Sequence, residues 1–211
     1  MRLQVALDFT SIERAVKLAC ALEDVPIIEV GTPLIKYNGM SAVSALKEAC
    51  PRKTIVADMK TADLGFLESV MAFQSGADIT TVLASASIQT IKEACKAAEE
   101  YGGEVMLDFI SIPNLDEKVK EILETTSPDY VLFHIGVDDQ KRGMKLDIPS
   151  SIEDYHIPVA IAGGLTPSKI KELKKSGKID IVIIGKYISQ SKDPIRASRE
   201  VLKVLNDGVQ K

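Results

Sequence analysis

Short apolar runs rich in β-branched residues recur along the whole chain, and each is followed by a stretch of helical, amphipathic period. The runs are Leu3–Asp8, Pro26–Val30, Thr54–Asp58, Asp78–Leu83, Glu104–Phe109, Tyr130–His134, Pro158–Ala162 and Asp180–Ile184. Between them lie Ser11–Glu23, Ser41–Cys50, Phe66–Ser75, Ile88–Tyr101, Leu115–Thr125 and Pro167–Ser176, and Pro194–Leu205 comes last. The connection after His134 is the least clearly helical. Strict β–α alternation implies a parallel sheet, and near-continuous apolar strands are those buried on both faces. Eight such units within 211 residues predict a closed (β/α)₈ barrel, the TIM barrel of the α/β class, as a single domain over residues 1–211. An open, doubly wound sheet is the alternative architecture.

Composition narrows the setting. Apolar residues make up 45% and charged residues 27%, close to the averages for soluble globular proteins, and no apolar segment is long enough to cross a bilayer. The first strand begins almost at Met1, which leaves no room for a secretory leader, so a cytoplasmic location is expected. With a net charge of −4 and Lys/Arg interleaved with Asp/Glu, no basic face is available for nucleic acid. Cys20, Cys50 and Cys95 are odd in number, widely spaced and set in helical patterns, which reads as reduced, packed thiols.

A second regularity concerns polar residues. Asp8, Glu29, Asp58, Asp108 and His134 each stand at the C-terminal end of a strand, on the rim where barrel enzymes carry their sites. Any one of them could instead cap the next helix. Together they gather like charges that need a cation or a substrate to offset them.

Asp58, Lys60 and Asp63 form D-x-K-x-x-D at the end of the third strand, and alternation puts Asp58 and Lys60 on one side of it. A lysine among carboxylates stays protonated and can stabilise negative charge on an enolate-type oxygen or deliver a proton. The alternative is a surface ion-pair network. Ala162-Gly163-Gly164 ends the seventh strand and Ile184-Gly185-Lys186 the eighth. Gly163, Gly164 and Gly185 let backbone N–H groups approach a phosphate, and Lys186 adds positive potential, at the two loops where barrels most often bind one.

These residues resemble a known group. Leu3-Gln4-Val5-Ala6-Leu7-Asp8, Glu29-Val30-Gly31-Thr32-Pro33, Ala57-Asp58-Met59-Lys60-Thr61, Gly76-Ala77-Asp78, His134-Ile135-Gly136-Val137-Asp138 and Ala162-Gly163-Gly164 are similar to the orotidine 5′-phosphate decarboxylase suprafamily and, within it, to the 3-hexulose-6-phosphate synthases. The resemblance implies a homodimeric barrel with sites near the subunit interface. It also implies Mg²⁺, with Mn²⁺ able to substitute, and aldol condensation of formaldehyde with D-ribulose 5-phosphate to an arabino-hexulose 6-phosphate. Carried over by position, Glu29 and Asp58 would hold Mg²⁺, which would grip the oxygens of an enediolate that Lys60 stabilises. Asp8 and Asp63 would orient Lys60 and the sugar hydroxyls, with Asp63 reaching into the neighbouring subunit's site, and His134 would carry the proton.

Sister activities differ at particular positions. Orotidine monophosphate decarboxylases are metal-free and usually follow the D-x-K-x-x-D run with Ile-Pro, where this chain has Leu64-Gly65. The 3-keto-L-gulonate 6-phosphate decarboxylases usually carry Arg three residues after the histidine and Glu at the fifth strand's end, where Val137 and Asp108 stand here. Thr61 also matches the synthase pattern, whereas Ala62, Leu64 and Lys186 depart from it. Ribulose-phosphate 3-epimerase resembles a two-histidine metal site, and this chain offers only His134 and His156. A sugar-phosphate-binding barrel without turnover would be expected to have lost part of the constellation.

Overall fold

In a computed structural model, residues 1–143, 146, 148–174 and 179–207 are described. Their strands are β1 (Arg2–Leu7), β2 (Ile27–Val30), β3 (Thr54–Thr61), β4 (Ile79–Leu83), β5 (Glu104–Asp108), β6 (Tyr130–His134), β7 (Val159–Ala162) and β8 (Ile181–Ile184). Each is parallel to its neighbours, and β8 pairs with β1, so the sheet closes into the expected barrel rather than the open alternative.

The helices are α1 (Ile12–Ala21), α2 (Thr32–Asn38), α3 (Ser41–Ala49), α4 (Gly65–Gln74), α5 (Ile88–Tyr101), α6 (Leu115–Leu123), α7 (Val137–Gln140), α8 (Pro167–Leu173), α9 (Lys186–Ser189) and α10 (Pro194–Asn206). The connection after β6 holds only the single turn of α7 and a 3₁₀ segment, Ser150–Asp154, in keeping with its weak pattern. The end of the expected helix Pro167–Ser176 lies outside the described residues. The short α2 and α9 are additions to the sequence reading. α2 opens on Thr32-Pro33, where a proline in the first turn costs no hydrogen bond.

Period-2 alternation divides the apolar residues into two cores. Inward-facing Ile27, Val56, Ile79, Met106, Leu132, Ile181 and Ile183 fill the barrel, with alanines at 6, 160 and 162. Outward-facing residues such as Leu3, Val5, Leu7, Val105 and Val182 pack under the helices together with Ala15, Ala19, Leu46, Ile91 and Val201. Each fully buried aliphatic side chain contributes about 1.5–3 kcal/mol. The three interior alanines lie on β1 and β7, so the filling is thin there, below the loops after β7 and β8.

Two expectations change at this level. β3 runs on to Thr61 instead of ending at Asp58, because its register with β4 shifts between Ala57 and Thr61. Lys60 takes up the irregularity in left-handed backbone, φ 49°. Cys20 is exposed rather than packed. Its sulfur lies 3.4 Å from that of buried Cys50, and all three cysteines are free.

Candidate active site

Hydroxyls and an N-cap aspartate open several helices: Ser11 for α1, Ser87 for α5, Thr166 for α8 and Asp193 for α10 each accept from a first-turn N–H. The strand-end acids are thereby spared that duty at these helices. Of the five rim residues, Asp108 accepts a backbone N–H, from Ile110 at 2.9 Å. The rest turn toward a cavity of about 570 Å³ at the C-terminal end of the barrel, a size in the range of small-molecule sites.

Lys60 is the hub of one wall. Its Nζ donates to both carboxylate oxygens of Asp58 at 2.8 Å and stands 3.4 Å from Asp108 Oδ2. Asp58 is buried, and its oxygens also accept from Thr32 Oγ1 at 2.6 Å and Thr81 Oγ1 at 2.8 Å. Burial pushes the Asp58 pKa up, but the Lys60 charge and these three donors outweigh it and hold the carboxyl below its ordinary value. Lys60 is the reciprocal case. Desolvation would lower its pKa, yet Asp58 and Asp108 raise it well above an ordinary lysine's, so the ammonium is permanent at neutral pH, as expected.

Glu29 and Asp8 feel the opposite balance. Glu29 is buried, and its carboxyl is pushed well up, first by desolvation and then by the charges of Asp58 and Asp8. Its Oε2 accepts from Gln4 Nε2 at 2.6 Å. Asp8 stands at the cavity mouth, where a Cβ on Gly31 or Gly185 would meet its carboxylate, and loss of solvation followed by the Asp58 charge raises its pKa. Asp8, Glu29, Asp58 and Asp108 all feel the Lys60 charge, and only Asp58 and Asp108 pair with it directly. Among the described residues no three His, Cys, Asp or Glu side chains converge on a single point.

His134 completes this wall. Its Nδ1 lies 3.2 Å from Asp108 Oδ2, which fixes the ring and leaves Nε2 for a ligand. His156 is exposed and precedes β7, at the other end of the barrel, so no two-histidine site forms.

The facing wall is built from backbone. Gly163, Gly164, Gly185 and Lys186 line the cavity with Thr166 and Tyr187. Gly163 has φ 118°, and a Cβ on it would fall 2.8–2.9 Å from Ile135 atoms, so only glycine lets the chain turn here. Val137 lines the same cavity beside Gly136 and is 45% exposed.

Two expected site residues are not brought in. Thr61 is buried and donates to Glu68 Oε2 at 2.6 Å, so its hydroxyl serves the β3–α4 junction rather than the cavity. Asp63 is exposed, and its carboxylate accepts from the Leu64 N–H at 2.8 Å. The bulge at Lys60 and the left-handed Leu64, φ 56°, carry that loop outward, so Asp63 does not orient Lys60 of its own chain. Conversely, Thr32, Thr81 and Gln4 belong to the site, although sequence pattern alone gives none of them a role. Thr32 lay within the Glu29–Pro33 run, and Thr81 and Gln4 are inward positions of their strands.

Two glycine loops facing an acid–lysine wall on one rim define a (β/α)₈ barrel of the suprafamily type suggested by its motifs. The chain belongs to the Orotidine 5′-phosphate decarboxylase / HUMPS family, which it matches over residues 1–201. The 3-hexulose-6-phosphate synthase of Mycobacterium gastri is 39% identical over 204 residues, 95% of this chain and 98% of that one. Among solved structures, the 3-hexulose-6-phosphate synthase from Salmonella typhimurium is 34% identical with a TM-score of 0.89, covering 97% of this chain and 98% of its own. The 3-keto-L-gulonate-6-phosphate decarboxylase from Vibrio cholerae is 29% identical with a TM-score of 0.82, covering 97% of each chain.

Proposed function

We propose that this barrel catalyses the aldol condensation of formaldehyde with D-ribulose 5-phosphate to D-arabino-hex-3-ulose 6-phosphate, and its reverse. The observation that carries this reading is the Lys60 ammonium, clamped between Asp58 and Asp108 across a cavity from two glycine loops. The named synthase relatives support the same reading over nearly the whole chain.

In this scheme Gly163, Gly164, Gly185 and Lys186 bind the phosphate through backbone N–H groups and one cation. The sugar's first carbons then lie toward Lys60 and His134. His134, with Nδ1–H directed at Asp108, uses Nε2 to take the C1 proton and returns a proton to the oxygen that was formaldehyde's. Lys60 offsets charge on the enediolate oxygens, and Asp8 accepts from a sugar hydroxyl. The donor set fits Mg²⁺, a hard cation held through one or two carboxylates plus ligand oxygens and water, here Glu29 and Asp58. When bound it would supply positive charge where the enediolate forms, and Mn²⁺ would substitute for it.

Asp108 and Val137 favour the synthase over the ketogulonate decarboxylase. The short Asp108 side chain reaches both Lys60 and His134, and apolar Val137 presents no cation to a departing carboxylate. The homodimer belongs to the same proposal. Leu64, Leu67 and Met71 expose an apolar stripe on and beside α4 next to outward-facing Asp63, a face that a second copy would cover while receiving Asp63 into its site. A cytoplasmic setting suits three free thiols, and a single domain suffices for the chemistry.

A parallel assay tests the reading: ribulose 5-phosphate plus formaldehyde, 3-keto-L-gulonate 6-phosphate, and orotidine monophosphate, each with Mg²⁺ and with excess EDTA. Turnover of the first pair should dominate, vanish in EDTA and return with Mg²⁺. Dominant turnover of either other substrate, or full activity in EDTA, overturns it.

A further inference from the structure

Gln4 is an amide in the middle of an apolar strand, Leu3-Gln4-Val5-Ala6-Leu7. Alternation turns it inward with Ala6, and it is fully buried in the wall of the cavity. Its Nε2 donates to Glu29 Oε2 at 2.6 Å, while its Oε1 is buried without a hydrogen-bond partner. With the amide nitrogen on Glu29 Oε2, the orientation is the one that suits a Glu29 carboxylate engaged with a cation, because the reverse would set the amide oxygen against a carboxylate oxygen. The other described side-chain atoms in that condition, Ser69 Oγ and Thr80 Oγ1, do not line the cavity.

The chemistry of this pair is specific. A neutral amide satisfies one lone pair of Glu29 and fixes the carboxylate's direction without neutralising it, whereas a lysine or arginine there would compete with any cation for its charge. A buried carbonyl oxygen left without a donor is costly, and a donor arriving with the ligand removes that cost. Water around a bound cation, or a sugar hydroxyl, is such a donor.

We propose that Gln4 is a positioning residue: its N–H aims Glu29 at the divalent cation, and its carbonyl accepts a hydrogen bond from the water or hydroxyl that enters with cation and substrate. The inference rests on the function proposed above. It assigns Gln4 no contact with the reacting carbon.

Gln4→Met keeps the length of the side chain and removes both polar atoms. Mg²⁺ binding to this variant without substrate, followed by titration calorimetry, should be about 10–100-fold weaker than in the unaltered protein. In turnover assays, the Mg²⁺ concentration for half-maximal activity should rise in parallel, and saturating Mg²⁺ should restore most of kcat. A role in packing alone would lower Tm and leave Mg²⁺ affinity within twofold, and that result in a folded variant overturns the proposal. If Gln4→Met does not fold, Gln4→Asn, which withdraws the N–H from Glu29 but retains an amide, should weaken Mg²⁺ in the same direction, and unchanged affinity again overturns it. Failure of the unaltered protein to bind Mg²⁺ would bring down the metal assignment beneath the proposal and the proposal with it.

Discussion

From β1 to β6 the barrel mouth is lined by side chains that hold one another: Lys60 by Asp58 and Asp108, Asp58 by Thr32 and Thr81, His134 by Asp108, and Glu29 by Gln4. Around β7 and β8 it is lined by glycine backbone, with Lys186 at the end. The first region is stiff at its centre because the Asp58–Lys60 pair is held by several short hydrogen bonds. The second is shaped because side chains are missing. Networks of the first kind suit chemistry, where charge must wait in place for a transition state. Bare backbone suits a phosphate, which asks for N–H groups and close approach. Substitutions in the two regions should therefore separate kcat from KM.

The largest effect is expected at the hub. Lys60→Ala should lower kcat by about 10³-fold or more. Circular dichroism should show an intact fold, since Thr32 and Thr81 still serve Asp58. Activity surviving within about tenfold would break the distinction between the walls.

Next comes His134→Asn, with kcat down by about 10²-fold and KM for ribulose 5-phosphate little changed, as steady-state assays can measure. An unchanged kcat would take proton transfer away from His134. On the other wall, Lys186→Ala should do the converse, raising KM about tenfold while kcat holds, because one charged contact to phosphate is worth about 1.5–3 kcal/mol. A kcat loss as large as that of His134→Asn would merge the two walls into one functional unit.

The smallest effect sharpens the boundary of the first region. Thr61 belongs to the D-x-K-T run, yet its hydroxyl points at Glu68. Thr61→Val should leave kcat and KM within about twofold and lower stability by about 1 kcal/mol in a thermal melt. A large loss of activity would place Thr61 in the cavity after all.

Much of this was legible before the fold was known. Eight apolar runs and their crossovers announced a barrel, because strand burial and helix amphipathicity are written within a few neighbouring residues. The same local rule put Asp8, Glu29, Asp58, Asp108 and His134 at strand ends, and all five do come to one rim. Local rules do not reach the places where the backbone leaves its regular geometry. A register shift in β3 and left-handed Lys60 and Leu64 send Asp63 outward, and nothing in D-x-K-x-x-D signals those angles.

The sequence by itself determined the order of elements, the side that residues of the regular strands face, and the family to which the chain belongs. Tertiary structure alone decided the partners: Gln4 with Glu29, Thr32 and Thr81 with Asp58, and Asp108 with both Lys60 and His134. Members of these pairs are 23 to 48 residues apart in the chain, farther than any local periodicity relates. They meet because closing the sheet fixes the register of each strand against the next, and register depends on how the whole barrel packs.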